Sequence, residues 1–298
     1  MTEDYITDDA RGENWHLMLG DSCERLAEIP DDSVGLSVYS PPFASLFTYS
    51  PSIRDLGNSA SRAEFLEHYG YIIRENLRVT MPGRIACIHV QQLTTTKATH
   101  GYTGLTDFRG DVIRAYVDNG WHFHGEVTVN KDPQAQAIRT KAHALTFATK
   151  NRDSAGTRPA LADYLLLFRK PGDNAVPIKN DVSNDEWIEW AQPVWWDIKE
   201  TNTLNVRVAR EDADERHICP LQLDFIERCV RLWSNKGETV LSPFAGIGSE
   251  VYTAVKLGRY GLGCELKSSY WRTAVTNLGD LEAQMTAPSL LALEDVGA

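Results

Sequence analysis

A serine, two prolines and a phenylalanine follow a short apolar run near the amino end of the chain. The run, Val34–Val38, predicts a buried strand. Because proline has no backbone N–H, the two consecutive prolines must take the chain out of the sheet as a stiff, extended loop. This loop presents the Ser40 hydroxyl, the fixed carbonyls of Pro41 and Pro42, and the flat ring of Phe43. Such a set of groups suits chemistry on a flat heterocycle that carries an amino group.

A glycine-rich turn in the second half of the chain argues against an ordinary Pro-Pro turn at a strand end. A predicted strand, Thr239–Leu241, leads into this turn, and a predicted helix, Val251–Leu257, follows it. The next predicted strand, Tyr260–Cys264, ends at Glu265, roughly 20 residues past the glycines. This order is typical of an adenosine-type cofactor site. The glycines let the cofactor approach the backbone, and the acid can accept both ribose hydroxyls.

Together these segments resemble the amino-group DNA methyltransferases, which methylate the exocyclic amine of cytosine or adenine with S-adenosylmethionine. The resemblance covers most of the chain, namely residues 19–43, 76–84 and 217–277. The catalytic motif precedes the cofactor loop, which is similar to the permuted order of the family's beta group. The resemblance implies catalytic residues Ser40, Pro41, Pro42 and Phe43. It implies a cofactor site made of Asp21, Ser242, Phe244, Ala245, Gly246, Gly248, Ser249 and Glu265.

Two positions of this cofactor site depart from the family pattern, and a third has two interpretations. Ser242 stands where the family usually has an aspartate, which removes a charge near the cofactor. Ser249 stands for the usual threonine and keeps the hydroxyl. By resemblance Asp21 contacts the adenine ring of the cofactor, but an N-cap of the short helix predicted over Cys23–Ile29 explains it equally well.

The target base and the class of activity have alternatives at this stage. In family usage Ser-Pro-Pro-Phe favours N4 of cytosine, whereas Asp-Pro-Pro-Tyr favours N6 of adenine, so an adenine-N6 enzyme stays open. A nicotinamide-dependent oxidoreductase would use the Gly246 turn but leaves the residues from Ser40 to Phe43 unexplained. An inactive DNA-binding module is a third alternative, because of the departure at Ser242.

One basic segment stands out in an otherwise acidic chain. The net charge is −11, yet residues 131–172 contain eight Lys/Arg and three Asp, a balance of +5. A protein that meets DNA through one face would have this distribution, although a solvated basic loop would have it too. The predicted DNA-binding residues are Arg139, Lys141, Lys150 and Arg152.

Strands that alternate with helices predict an α/β fold. We expect a mainly parallel, Rossmann-like methyltransferase sheet with helices on both faces, plus a smaller inserted target-recognition region. Residues 15–130 and 211–282 form the predicted catalytic and cofactor-binding domain. Residues 131–210 form the target-recognition region, which includes one returning core strand over residues 160–169. Residues 1–14 and 283–298 are predicted as tails, the first of them flexible.

The bulk composition bounds the class of protein. No run of about 18 apolar residues occurs, which predicts no membrane span. The five cysteines form no Cys-x-x-Cys pair, which favours a reducing cytoplasm over a disulfide framework and predicts no metal site. DNA is the expected partner. A homodimer and a cognate restriction enzyme are partners that the resemblance leaves open.

Overall fold

The computed structural model describes residues 5–42, 56, 59, 61–140, 145–151, 153–204 and 220–286, and the side chains of residues 99 and 138–140 are left out of the description. The strands are β1 (Asp8–Arg11), β2 (Trp15–Leu19), β3 (Val34–Tyr39), β4 (Thr80–Gln91), β5 (Leu93–Thr95), β6 (Gly104–Thr106), β7 (His122–Val129), β8 (Asp163–Arg169), β9 (Val194–Trp195), β10 (Thr239–Ser242) and β11 (Tyr260–Glu265). The helices are α1 (Ser22–Arg25), α2 (Arg62–Val79), α3 (Lys97–His100), α4 (Phe108–Asp118), α5 (Pro133–Thr140), α6 (Asn184–Trp190), α7 (Leu223–Trp233), α8 (Ser249–Lys256) and α9 (Ser268–Thr286).

One large sheet organises the described part of the chain. Its strand order is β1-β2-β11-β10-β3-β4-β8-β7-β9, and β5 and β6 form a separate hairpin. Strands β2, β11, β10, β3 and β4 are all parallel. Strand β8 runs antiparallel between β4 and β7, and β1 runs antiparallel to β2 at one edge. The predicted mainly parallel α/β sheet is confirmed.

Helices cover both faces of this sheet because alternate strand residues point to opposite sides. On β3, Leu36 and Val38 pack with Phe225 of α7, whereas Tyr39 packs with Phe65 of α2. Helix α4 shares the α2 face. Helices α8 and α9 pack on β2 and share the α7 side. The strands of the centre are therefore apolar on both sides, as parallel strands under two helical layers must be.

Part of the segment predicted as a flexible tail is an ordered edge strand. Strand β1 pairs with β2 from Asp8 opposite Leu19 to Arg11 opposite His16. The prediction of a flexible tail over residues 1–14 is therefore wrong for residues 8–11. The four residues of β1 are polar or small and show no alternation of apolar residues that would predict a strand. Backbone pairing with β2 alone therefore stabilises it. At the other end, α9 continues past residue 282 to Thr286.

Residues 131–210 contribute to the main sheet at two places. Strand β8 lies between β4 and β7, inside the segment where a returning strand is predicted. Strand β9 pairs in parallel with β7, with Thr128 opposite Val194 and Val129 opposite Trp195. A two-residue strand is too short to give a sequence period, so β9 was not foreseen. The assignment of this region to DNA recognition stays a prediction.

The chain leaves the two central strands in opposite directions. Strand β10 continues through α8 to β11 on one side, and β3 continues through α2 to β4 on the other. In open α/β sheets a crevice forms where the connections diverge, at the carboxyl ends of such strands. The fold therefore brings the segments after Tyr39 and after Ser242 to the same edge.

Candidate active site

The two loops predicted to carry chemistry meet at this edge of the sheet. Leu241 lies opposite Ser37 in the β10–β3 ladder, so Ser40 and Pro243 leave their strands close to the same level. The ring of Phe244 lies 5.6 Å from the ring of Tyr39, centroid to centroid. Residues about 200 positions apart in sequence thus lie at one edge of the sheet, where a shared crevice is expected.

Ser40 is half-buried, and among the described residues its hydroxyl contacts His89. Its Oγ donates to the backbone carbonyl of His89 at 3.2 Å and lies 3.3 Å from His89 Nδ1. Pro41 is buried and Pro42 is half-buried. Phe43, the fourth predicted catalytic residue, lies outside the described residues. The serine and its two prolines therefore occupy the crevice edge, with one face of Ser40 turned to the protein interior.

Backbone amides and one carboxylate shape the glycine-rich loop. Ala245 N donates to the carbonyl of Cys264 at 2.8 Å, and Gly246 N donates to Glu265 Oε2 at 2.7 Å. Gly248 N donates back to the carbonyl of Ala245 at 2.7 Å. Gly248 adopts φ +88° at the N-cap of α8, a left-handed conformation that favours glycine. The loop is thus held between the ends of β10 and β11 by hydrogen bonds within the protein.

Glu265 and Asp21 lie next to each other at the carboxyl ends of β11 and β2. Gly20 N donates to the backbone carbonyl of Glu265 at 2.8 Å, and Lys267 N donates to Glu265 Oε1 at 2.8 Å. Asp21 is the N-cap of α1, because its Oδ1 accepts from Cys23 N at 2.9 Å. The N-cap interpretation of Asp21 is thereby confirmed, while a contact with a cofactor stays a prediction.

Buried hydroxyls around the loop test whether it fits a nucleoside cofactor. Within the described residues, Ser242 Oγ, Ser249 Oγ and Ser269 Oγ are buried and have no hydrogen-bond partner. Buried polar groups normally have partners, so these hydroxyls are suited to a bound polar ligand. A Cβ added to Gly246 would meet no described atom within 4 Å, so a side chain there would project into free space beside the loop. The residues present fit the expected cofactor.

A second buried carboxyl sits at the start of α8. Burial, together with the negative charge of Glu265, raises the pKa of Glu250 from the ordinary value of 4.5 to about 8. Glu250 is therefore protonated at neutral pH in the free protein. The glycine-rich loop thus lies between the carboxyl group of Glu265 and the neutral acid Glu250.

Three tyrosine hydroxyls converge beneath the two loops. Tyr39 and Tyr116 share a short hydrogen bond, and Tyr69 OH lies 3.3 Å from each of their hydroxyls. Burial raises the pKa of all three phenols, so they remain neutral. The Phe244 ring also lies 6.3 Å from the Tyr69 ring. The cluster therefore ties α2 and α4 to the positions that precede Ser40 and follow Ser242.

A polar network behind Ser40 was missed by the sequence interpretation. His89 Nε2 lies 3.0 Å from Asp163 Oδ2, and Lys131 Nζ lies 2.6 Å from the same oxygen. Gln91 Nε2 donates to Asp163 Oδ1 at 2.7 Å. The sequence did contain a signal for His89 and Asp163. Each lies two positions from a buried apolar residue of its strand and therefore points to the same buried face. These apolar residues are Cys87 before His89 and Leu165 after Asp163.

The predicted DNA-binding residues are described only in part. Lys150 is exposed and follows a 3₁₀ turn over Phe147–Thr149. Arg139 lies in α5, but its side chain is outside the description, and Lys141 and Arg152 lie outside the described residues. Lys131 is 4% exposed and paired with Asp163, so its charge does not contribute to a DNA-facing surface.

Two of the four tryptophans between residues 173 and 210 pack on helix α7. Trp190 and Trp195 lie against the guanidinium of Arg228, at 5.2 and 5.1 Å from their ring centroids. Trp187 and Trp196 are 50% and 67% exposed. The Trp-rich segment therefore both covers α7 and presents aromatic surface.

Two classes of site have no candidate in the part of the chain that the structure describes. There, no group of three or more His, Cys, Asp or Glu side chains could hold a metal ion. Over the same ranges, no helix has the length and apolar character that crossing a membrane requires.

The amino-acid sequence is similar to those of known type II methyltransferases. The sequence of M.MjaI, a type II methyltransferase from Methanocaldococcus jannaschii, is 22% identical over 294 residues, covering 86% of this chain and 88% of M.MjaI. M.HindIII, a type II methyltransferase from Haemophilus influenzae, is 25% identical over 186 residues. That match covers 58% of this chain and 60% of M.HindIII, so the chain spans less than two thirds of that relative.

Solved structures share the fold over most of the chain. TTHA0409 from Thermus thermophilus, solved in complex with S-adenosyl-L-methionine, has a TM-score of 0.67 at 25% identity, covering 88% of this chain and 92% of that one. PvuII DNA methyltransferase, which is cytosine-N4-specific, has a TM-score of 0.65 at 16% identity, covering 95% and 90%. The family model described as DNA methylase, N6_N4_Mtase, matches residues 34–276. Because this match spans most of its length, the chain belongs to the N6/N4 DNA methylase family.

Proposed function

We propose that the protein is an S-adenosylmethionine-dependent DNA methyltransferase that methylates the exocyclic amine of a flipped base, with N4 of cytosine as the favoured target. The observation that carries this proposal is the contact of the two loops. The Phe244 ring lies 5.6 Å from Tyr39, the residue before Ser40. A cofactor at one loop and a base at the other would therefore be neighbours in one crevice.

The cofactor assignment rests on the groups around the glycine-rich loop. Residues Asp21, Ser242, Phe244, Ala245, Gly246, Gly248, Ser249 and Glu265 would form the site. When bound, S-adenosylmethionine supplies an electrophilic methyl group on a positively charged sulfur. Glu265 is positioned by Gly246 N and Lys267 N, so a carboxyl group with fixed orientation lies where ribose hydroxyls would bind. The buried hydroxyls of Ser242, Ser249 and Ser269 offer further hydrogen-bonding groups.

The amine of cytosine or adenine is a poor nucleophile because its lone pair is delocalised into the ring. Acceptors for its N–H groups favour a tetrahedral, reactive geometry. We assign these acceptors to Ser40 Oγ and to the carbonyl of Pro41 or Pro42, which the proline rings hold rigid. Phe43 would stack on the base. Since a base inside a duplex is out of reach, the target must be flipped or single-stranded.

The preference for cytosine rests on the Ser-Pro-Pro-Phe pattern of the family resemblance. The similarity to the cytosine-N4-specific PvuII enzyme is a similarity of fold at 16% identity and carries no argument about the base. Adenine N6 is the alternative target, because the same acceptors would serve an adenine amine.

Residues 131–210 are proposed to recognise DNA, with residues 15–130 and 211–282 as the catalytic domain. The basic excess of residues 131–172 supports this division. Lys150, whose side chain the structure describes, is exposed. Arg139, Lys141 and Arg152 are assigned to the same role from the sequence.

Incubation with methyl-labelled S-adenosylmethionine and duplex DNA tests the proposal. We expect label in the DNA, and nucleoside digestion with mass spectrometry should yield N4-methylcytosine. N6-methyladenine would overturn the cytosine assignment alone. If cofactor binds and no label is transferred to any DNA, the inactive DNA-binding module is the better description. Binding of a nicotinamide cofactor in place of S-adenosylmethionine would overturn the methyltransferase proposal.

A further inference from the structure

A cluster of buried polar side chains lies directly behind Ser40. His89, Asp163 and Lys131 are 8%, 4% and 4% exposed; His89 lies near the end of β4, Asp163 begins β8, and Lys131 follows β7 by two residues. None of them belongs to a motif that the proposed function uses. Because burying charged or polar groups is costly unless they are paired, a retained cluster beside a reactive serine calls for a role.

The cluster forms a continuous chain of polar contacts that begins at Ser40. Ser40 Oγ lies 3.2 Å from the carbonyl oxygen of His89 and 3.3 Å from its Nδ1. On the other side of the ring, His89 Nε2 lies 3.0 Å from Asp163 Oδ2, an ion-pair distance without hydrogen-bond geometry. The Ser40 hydroxyl proton thus lies within reach of the His89 carbonyl oxygen and, in the tautomer that leaves Nδ1 unprotonated, of Nδ1 as well. The lone pairs of Ser40 Oγ are therefore left for N–H groups in the crevice.

The charges around the ring favour one tautomer of His89. Burial opposes ionisation of Asp163, but His89 and Lys131 together hold the pKa of Asp163 below its ordinary value, so it is ionised. An ionised carboxylate beside Nε2 favours the tautomer with its proton on that nitrogen, which leaves Nδ1 as an acceptor toward Ser40. The described charged groups facing the ring are Asp163 and, behind it, Lys131. Phe225 of α7 closes another side with an edge-on ring 5.2 Å away.

Building on the proposed function, we propose that His89 is the proton acceptor of the reaction, acting through Ser40, and that the Asp163–Lys131 pair holds it in place. Methyl transfer breaks the bond between sulfur and methyl and forms the bond between nitrogen and methyl, so the amine carries one proton too many. That proton passes to Ser40 Oγ as the Ser40 hydroxyl proton passes to His89 Nδ1. Asp163 offsets the charge of the resulting imidazolium, which later releases its proton to solvent.

A His89→Asn substitution separates proton acceptance from positioning. Asparagine keeps a hydrogen-bonding group near the place of Nδ1 but cannot take a proton at neutral pH. We expect single-turnover methyl transfer to fall by at least about 10²-fold. His122→Asn, at the exposed far end of β7, is the matched control and should behave as the wild type.

The tautomer of His89 gives a readout that needs neither cofactor nor DNA. Nitrogen chemical shifts of the ring in the free wild-type protein should show the proton on Nε2. Asp163→Asn should shift the proton toward Nδ1. Because that variant leaves Lys131 buried without its charge partner, the Asp163→Asn/Lys131→Met double variant repeats the measurement without an isolated charge.

Each outcome bears on one level of the proposal. Full transfer activity in His89→Asn beside an active wild type would overturn the relay and leave the proposed function standing. A wild-type ring protonated on Nδ1 would also overturn the relay. No transfer by the wild type itself would overturn the proposed function and the relay together. A slow His89→Asn variant, together with Nε2 protonated in the wild type, would support the relay.

Discussion

Ser40 illustrates how one hydroxyl is oriented by its surroundings. Its described contacts are both to His89, and the proposed relay needs its lone pairs to accept from the amine of the base. We expect Ser40→Ala to bind S-adenosylmethionine with unchanged affinity and to transfer methyl groups roughly 10²-fold more slowly or worse, as when one preorganised hydrogen-bonding group is lost. Calorimetric titration and single-turnover assays measure the two effects. Ser33→Ala, in the turn before β3, is the control, and full activity in Ser40→Ala would refute the assigned role.

Glu250 makes stability depend on pH in a direction opposite to that of a paired carboxylate. Burial is the main cause that raises its pKa from 4.5 to about 8. Between these values the unfolded chain releases the proton while the folded protein keeps it. The contribution of Glu250 to stability is therefore complete below pH 4.5 and is lost as the pH rises through about 8. Glu250→Gln has no such titration.

Urea unfolding of the wild type and Glu250→Gln at pH 5 and pH 8 checks this prediction. The free energy of unfolding of Glu250→Gln, relative to the wild type, should be more favourable at pH 8 than at pH 5. An equal difference at both pH values would show that Glu250 ionises normally in the folded protein.

At the scale of elements, the tyrosine cluster fixes how α2 and α4 meet the central strand β3. Tyr69→Phe removes one hydroxyl and leaves the bond between Tyr39 and Tyr116 in place. We therefore expect a loss of about 1 kcal/mol in the free energy of unfolding, a typical net value for one hydrogen bond. Tyr71→Phe is the matched control on the same helix, since Tyr71 is 51% exposed. Equal stability of the two variants would argue against the cluster.

Two glycine substitutions separate an effect on cofactor binding from an effect of backbone strain. Gly246 has φ +54° and Gly258 has φ +76°, and an added Cβ meets no described atom within 4 Å at either position. Valine should therefore strain the backbone at both sites. Only Gly246→Val should weaken binding of S-adenosylmethionine in calorimetric titration, because only there does the side chain occupy the proposed cofactor space. A similar loss in Gly258→Val would attribute the effect to strain.

Local sequence patterns were sufficient to predict the strands and turns that carry the two loops. They could not predict which residues from distant segments become neighbours in the folded protein. Strand β3, the glycine-rich turn and Glu265 each lie within one short stretch, so residue types and periods were sufficient. His89, Asp163 and Lys131 meet only after β4, β8 and β7 pair, and that antiparallel arrangement has no signature in any one of the three stretches. Strand β1 was not predicted because backbone pairing with β2, rather than burial of an apolar face, stabilises it.

At the scale of the whole molecule, charge is divided between the body and one segment. The chain carries −11, while residues 131–172 carry +5. The structure refines this count, because Lys131 is buried and its charge is matched by Asp163. An acidic body that repels phosphates and one basic segment that attracts them would orient DNA on a single face.

Neutralising Arg139, Lys141, Lys150 and Arg152 to glutamine tests this orientation. For each phosphate contact that the variant loses, DNA binding releases about one counterion fewer. DNA binding should therefore weaken, and the slope of log affinity against log salt should become shallower by about 0.9 per lost contact. Affinity for S-adenosylmethionine should not change. Lys179, Lys236 and Lys256, all exposed outside the segment, provide a control set whose neutralisation should leave the salt slope unchanged. If the quadruple variant keeps the parental salt slope, the basic segment is a solvated surface and DNA binds elsewhere.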